Sequence, residues 1–155
     1  MPDVIAAIRP DSVNVPLFLH VLGAMLLVGS LAFVGIVILL GWRDPARAAP
    51  LTRLALRSLF FAVLPAYAVM RVGAQWTEAE QNYPEDYDAV WLGIGYIAAD
   101  LGALLLLVSL VLAGIGLRKL RRGGGVGLGR AAGIISLVLI AAYVVAVWAM
   151  TAKPT

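Results

Sequence analysis

Three ionisable side chains, those of His20, Arg71 and Asp100, interrupt long apolar stretches of this 155-residue chain. Aspartate and arginine can form a bidentate ion pair, and histidine can ligate a metal or haem iron or carry a proton. The chain has no cysteine, which excludes disulfides, thiol catalysis, iron–sulfur clusters and Cys-ligated zinc. The sequence also lacks a nucleophile elbow, an HExxH motif and a phosphate-binding loop, so spacing alone indicates no class of enzyme.

The composition predicts that these side chains lie in a membrane. Hydrophobic residues make up 62% of the chain and charged residues 14%, against about 45–50% and about 25% in soluble domains. The net charge of +3 comes from short basic clusters between apolar runs, which is typical of orientation signals rather than of a nucleic-acid-binding face. The sequence therefore predicts a polytopic membrane protein that is surrounded by the lipid bilayer and has no nucleic-acid partner.

Four apolar segments are each long enough to span a bilayer, which takes about 20 helical residues. Because these segments show no alternation of polar and apolar residues, we predict helices rather than barrel strands. The predicted fold is a single-domain, all-α membrane protein, a bundle of four transmembrane helices at about 17–42, 54–76, 90–117 and 131–150. Pro16 suits the first turn of the first helix, and the glycine-rich segment 123–129 is predicted to be a flexible loop.

Charged residues in the connections predict how the bundle is oriented. Basic residues follow the first and third spans, whereas acidic residues without any lysine or arginine follow the second. The positive-inside rule then places both termini outside and the two basic connections in the cytoplasm of a bacterial plasma membrane. The basic residues concerned are Arg43, Arg47, Arg53, Arg118, Lys119, Arg121, Arg122 and Arg130, and the acidic ones are Glu78, Glu80, Glu85, Asp86 and Asp88.

The three ionisable side chains are predicted to lie at similar depths in the outer half of the bilayer. A rise of 1.5 Å per residue places His20 about 5 Å, Arg71 about 7 Å and Asp100 about 9 Å below the outer boundary. Because a charge within a span costs about 2.5 to 3.5 kcal/mol, we expect Arg71 to pair with Asp100 near His20. Tyr67 and Tyr96 each lie one turn from this cluster. The alternative is that Arg71 snorkels to the outer headgroups.

The chemistry open to this cluster is limited by the single histidine of the chain. Haem could be held by His20 with Met70, or between the His20 side chains of two copies, and copper(I) also suits imidazole and thioether ligands. A second hypothesis is a small homo-oligomeric transporter in which Asp100 is the proton or cation site. A third is a structural or accessory subunit of a larger membrane complex, in which the cluster fixes helix packing.

The string HVLGAMLLVGS, residues 20–30, resembles the opening helix of the CopD-like group of small bacterial integral membrane proteins, especially its uncharacterised branch. It is similar, more weakly, to the histidine-bearing first helix of oxygen-independent protoporphyrinogen oxidases. Leu27 and Ser30 stand where the group has tryptophan and a second glycine. The resemblance implies that His20 is the functional histidine and binds metal or porphyrin, and it provides no second site residue.

Overall fold

The computed structural model describes residues 11–81 and 89–153. Among these residues, four helices are long and apolar enough to cross a membrane. We label them α1 (Asp11–Arg43), α2 (Pro45–Gln81), α3 (Val90–Arg121) and α4 (Gly127–Ala152). The predicted all-α bundle of four membrane-spanning helices is thereby confirmed.

Several helix ends lie outside the predicted spans. Pro16 is buried inside α1 and does not lie in the first turn, because the helix already includes Asp11. Helix α4 begins at Gly127, so the predicted glycine-rich loop is helical in its last part. Helix α2 continues to Gln81, five residues beyond its predicted end at Trp76. Hydropathy marks the apolar core of a span, whereas the helices extend beyond it at both ends.

The start of α2 has a local capping signal. Asp44 precedes a 3₁₀ turn at Pro45–Arg47, and its Oδ1 accepts a hydrogen bond from the Ala46 amide at 3.1 Å. A capping aspartate followed by proline is a favourable helix start, because the cap satisfies a free amide and proline needs no hydrogen-bond partner. The predicted connection before residue 54 is therefore mostly helical, as Ala48–Ser58 continues directly from this turn.

A π-helical turn at Leu59–Val63 divides α2 into two parts. It lies just before Pro65, and the Leu64 amide donates to the carbonyl of Leu59, five residues earlier. Proline removes one backbone donor and clashes with the preceding turn, so a wider turn accommodates it. The first part of α2 packs against α3, whereas the second part packs along α1 and is nearly separated from the backbone of α3.

The remaining contacts form an antiparallel bundle in which α1 packs on α2 and α4, and α3 packs on α4. One end carries the basic residues around Arg43 and Arg121, and we call it the basic end. The opposite end carries Glu78 and Glu80, and we call it the acidic end. The divergence of α2 from α3 leaves a cleft at the acidic end, where the predicted cluster lies. That this end faces outwards stays a prediction.

The fully buried interior of the bundle includes several leucine and valine side chains, and apolar side chains also cover its surface. Phe61 is 74% and Ile97 68% exposed, which is typical of helices that face lipid. Between α3 and α4, the buried hydroxyls of Ser109 and Ser136 both donate to the carbonyl of Ala132, at 3.2 and 3.0 Å. Such bonds satisfy polar groups that water cannot reach. The fully buried leucines are Leu27, Leu31, Leu59, Leu106 and Leu139.

Candidate functional site

Two glycines bring α1 and α2 into direct backbone contact at the acidic end. A Cβ atom added to Gly73 would lie 2.8 Å from the Cα of His20, and one added to Gly23 would lie 2.7 Å from the Cα of Met70. Small residues of this kind let membrane helices approach closely. The crossing therefore fixes the backbones of His20 and Met70 next to each other.

A hydrogen bond fixes the imidazole of His20. Its Nδ1 lies 3.0 Å from the carbonyl oxygen of Met70. Because a carbonyl only accepts hydrogen bonds, Nδ1 is the donor, and in an uncharged imidazole Nε2 is then the nitrogen with the lone pair. Nε2 makes no hydrogen bond to the part of the protein that the structure describes. This tautomer, held through a backbone carbonyl, is the usual arrangement of a histidine that ligates a metal through Nε2.

The structure also brings Arg71 and Asp100 together across the cleft between α2 and α3. Nη2 of Arg71 lies 2.8 Å from Oδ1 of Asp100, and the two side chains are 22% and 66% exposed. The Arg71 guanidinium also lies over the Tyr96 ring, with its Cζ 5.1 Å from the ring centre. Arg71 is thus held inward by two partners on α3, whereas the carboxylate of Asp100 lies on the outer rim of the cleft.

Two tyrosines add further links across the cleft. The Tyr67 hydroxyl donates to the carbonyl of Ala99 at 3.1 Å, and the Tyr96 hydroxyl donates to the carboxylate of Glu78. Glu78 was predicted to lie in the connection after α2, and the longer helix places it in the site instead. Near the acidic end, therefore, polar side chains take the place of close backbone packing between α2 and α3.

These walls enclose a cavity of about 250 Å³, which we call the acidic-end cavity. All four helices contribute to its lining, which is mostly apolar in the interior and polar towards the acidic end. Of the predicted site residues, His20, Met70, Arg71 and Tyr96 line it, whereas Tyr67 and Asp100 are not part of the lining. Lining residues that the sequence did not predict include Glu78, Trp91, Tyr143, Met150 and Lys153.

Tyr143 is the lining residue that sequence reasoning missed most clearly. It is 5% exposed, and among the described residues its hydroxyl has no hydrogen-bond partner. A buried unpaired hydroxyl is unfavourable, and this one lies against Gly102 of α3, where an added Cβ would collide with it. The sequence holds one signal for it, since Tyr143 is a polar-tipped residue in the middle of the apolar run of α4.

Cationic groups lie at the polar part of the cavity. Besides Arg71, the lining includes Lys153, whose Nζ lies 5.2 Å from the centre of the Trp91 ring. One guanidinium nitrogen of Arg71 is bound by Asp100, and a guanidinium carries five N–H groups. This part of the cavity can therefore receive carboxylate groups of a ligand.

The donor set for a bare metal ion is small. Among residues 11–81 and 89–153, no group of three or more His, Cys, Asp and Glu side chains could hold a metal. Met25, five residues after His20, is 70% exposed on another face of α1 and does not line the cavity. The side chains in the cavity lining that could donate to a metal include the imidazole of His20, the thioethers of Met70 and Met150 and the carboxylate of Glu78.

Comparisons of the chain with protein-family models, curated proteins and solved structures find no match. The resemblance of residues 20–30 to the CopD-like group therefore stays a prediction.

Proposed function

We propose that this protein is a membrane-embedded binding protein for a porphyrin, with haem as the first candidate, held in the acidic-end cavity. In this proposal Nε2 of His20 would bind the haem iron. The observation that carries it is the hydrogen bond from His20 Nδ1 to the Met70 carbonyl, which leaves Nε2 without a hydrogen-bond partner among the described residues. A single proximal histidine is sufficient to hold haem iron in a protein.

The other walls of the cavity support this ligand class. A porphyrin supplies four nitrogen ligands of its own, so it needs neither a cluster of acidic residues nor a cysteine. Its apolar plane suits the interior around Leu27 and Ala146, and its carboxylates suit Arg71 and Lys153 at the polar part. Ligand cavities commonly measure about 300–1,000 Å³, so part of a porphyrin would extend into the cleft between α2 and α3.

Membership of the CopD-like group belongs to the same proposal. The string that carries the resemblance begins at His20, the residue that the geometry supports as a ligand. A bacterial plasma membrane with the acidic end outside is the location that the positions of the basic residues favour.

The test is a haem titration of protein purified in mild detergent, followed by visible absorption. We expect a Soret band that saturates at one haem per chain, and His20→Ala should weaken haem binding by more than the about 10- to 100-fold that loss of a ligand's hydrogen-bonding partner costs. Met25→Leu is the matched control, since Met25 lies on the same helix outside the cavity. Elemental analysis of the same samples tests the copper alternative. Equal titration curves for the wild type and His20→Ala would contradict the proposal.

A second candidate function, a small homo-oligomeric transporter, is favoured by the exposure of Asp100. Its side chain is 66% exposed on the surface of a single copy, although carboxylates within spans normally face the bundle interior or water. A second copy packed on α3 would cover it and make Asp100 a proton site. In proton-uptake assays with vesicles, Asp100→Asn should then abolish uptake, while Asp44→Asn at the basic end should not. Normal uptake by Asp100→Asn would remove this candidate.

An accessory subunit of a larger membrane complex is the remaining alternative. It predicts that the chain co-purifies with unrelated chains and holds no ligand of its own. A monodisperse homomer that binds haem through His20 would exclude it.

A further inference from the structure

A second cavity, at the basic end of the bundle, is lined by three arginines. It measures about 350 Å³ and lies between the first part of α2 and the end of α3. Arg53 and Arg57 come from α2 and Arg121 comes from α3. We call it the arginine pocket. It shares no lining residue with the acidic-end cavity, so it is a separate feature of the molecule.

The charges of this pocket are not balanced within the described part of the chain. None of its arginines makes an ion pair there, and the nearby Asp44 is bound to Arg47, with Oδ2 3.1 Å from Nε. Arg53 and Arg57 are four residues apart on one helix, a spacing at which like charges repel. Arg121 approaches the same pocket from another helix. Three converging cations of this kind are stabilised by an anion between them.

The surroundings of the pocket are apolar and exposed, as a lipid-binding surface requires. Leu54, which lines it, is 42% exposed, and Phe61, two turns further along α2, is 74% exposed. On α3, Gly114 lies two turns before Arg121, and a Cβ added there would meet no atom within 4 Å. The surface towards the centre of the bilayer therefore has room for acyl chains next to the guanidinium groups.

We propose that the arginine pocket binds the phosphate group of an anionic membrane lipid, with the acyl chains along the exposed surface of α2 and α3. Guanidinium groups bind phosphate oxygens through paired hydrogen bonds. Basic pockets between membrane helices on the cytoplasmic side are suited to anionic headgroups. A soluble phosphate would use the guanidinium groups alone and gain nothing from the apolar surroundings.

The test uses native mass spectrometry of the full chain, delipidated in detergent and titrated with phosphatidylglycerol. Parallel titrations use phosphatidylcholine and inorganic phosphate. We expect one phosphatidylglycerol to bind with clear preference over both. Each arginine changed to glutamine should weaken binding about fivefold, and all three together on the order of 100-fold. The control variant combines Arg43→Gln, Arg118→Gln and Arg122→Gln, which removes the same charge from the basic end outside the pocket.

Each outcome decides the proposal. Loss of binding in the pocket variant but not in the control variant supports a specific lipid site. Equal loss in both variants shows a diffuse electrostatic attraction and overturns the proposal. If inorganic phosphate binds as strongly as phosphatidylglycerol, the pocket does not select a lipid and the proposal is overturned. If the triple variant does not fold, the three single variants and the charge-preserving Arg57→Lys are compared with the wild type instead. Unchanged binding of phosphatidylglycerol in all of them would contradict the proposal.

Discussion

The two sides of α2 near the acidic end differ in how they are held to their neighbours. Towards α1, Gly73 and Gly23 allow backbone contact over two turns. Towards α3, the backbones diverge, and the contacts are made by polar side chains, among them Arg71 on Asp100 and Tyr67 on the Ala99 carbonyl. We call the side of α2 that packs on α1 the fixed wall. We call the side that is joined to α3 by side-chain contacts the α3 wall.

In the function that we propose, this difference would let one cavity combine a fixed candidate ligand atom, Nε2 of His20, with an entry path. The hydrogen bond of His20 to Met70 belongs to the fixed wall, since both residues lie on the crossing of α1 and α2. In the same proposal, the ligand would enter past the side-chain links between α2 and α3. We expect changes on the fixed wall to affect folding and changes on the α3 wall to affect ligand binding more.

The largest effect is expected from the fixed wall, where Gly73→Leu would force a side chain into the backbone of His20. Overpacking of a close contact costs about 3 kcal/mol, so thermal unfolding in mild detergent should show a strongly destabilised protein. Gly93→Leu is the control, because a Cβ at Gly93 meets no atom within 4 Å. Equal stability of the two variants would show that the close crossing is not required.

The ion pair across the cleft is expected to give a smaller effect. Asp100→Asn leaves the guanidinium of Arg71 without its counter-charge, at a cost of about 2 kcal/mol, less than for a fully buried pair. Adding Arg71→Met to Asp100→Asn should recover most of that loss, because no unpaired charge remains. A double-mutant cycle measured by unfolding tests this. Additive effects, with no coupling between positions 71 and 100, would contradict the pair.

The smallest effects are expected from two tyrosines, and they should have opposite signs. Tyr143→Phe removes an unpaired hydroxyl and should stabilise the ligand-free protein by about 1 kcal/mol. Tyr67→Phe removes the hydrogen bond to Ala99 and should destabilise it by about 1 kcal/mol. Unfolding in detergent measures both. A Tyr143→Phe variant that is less stable than the wild type would show that this hydroxyl contributes a hydrogen bond after all.

The fold was predictable from the sequence because each span is a long apolar run, and hydropathy depends on composition alone. The sequence prediction missed the helix ends. Asp44 followed by Pro45 is a capping signal at the start of α2, and the helix continues through Glu78 at its other end. The proximity of Arg71 to Asp100 followed from their depths. Depth alone, however, does not give the rotation of a helix about its axis. The exposure of Asp100 and the approach of Tyr143 to the cavity depend on that rotation.

The most direct test of the central claim is the visible absorption spectrum of haem-titrated protein, comparing His20→Ala with Met25→Leu. The account predicts a saturating Soret band in the wild type and in Met25→Leu, and its loss in His20→Ala. The same band in all three proteins, or in none of them, would contradict the claim that Nε2 of His20 holds a porphyrin in this cavity.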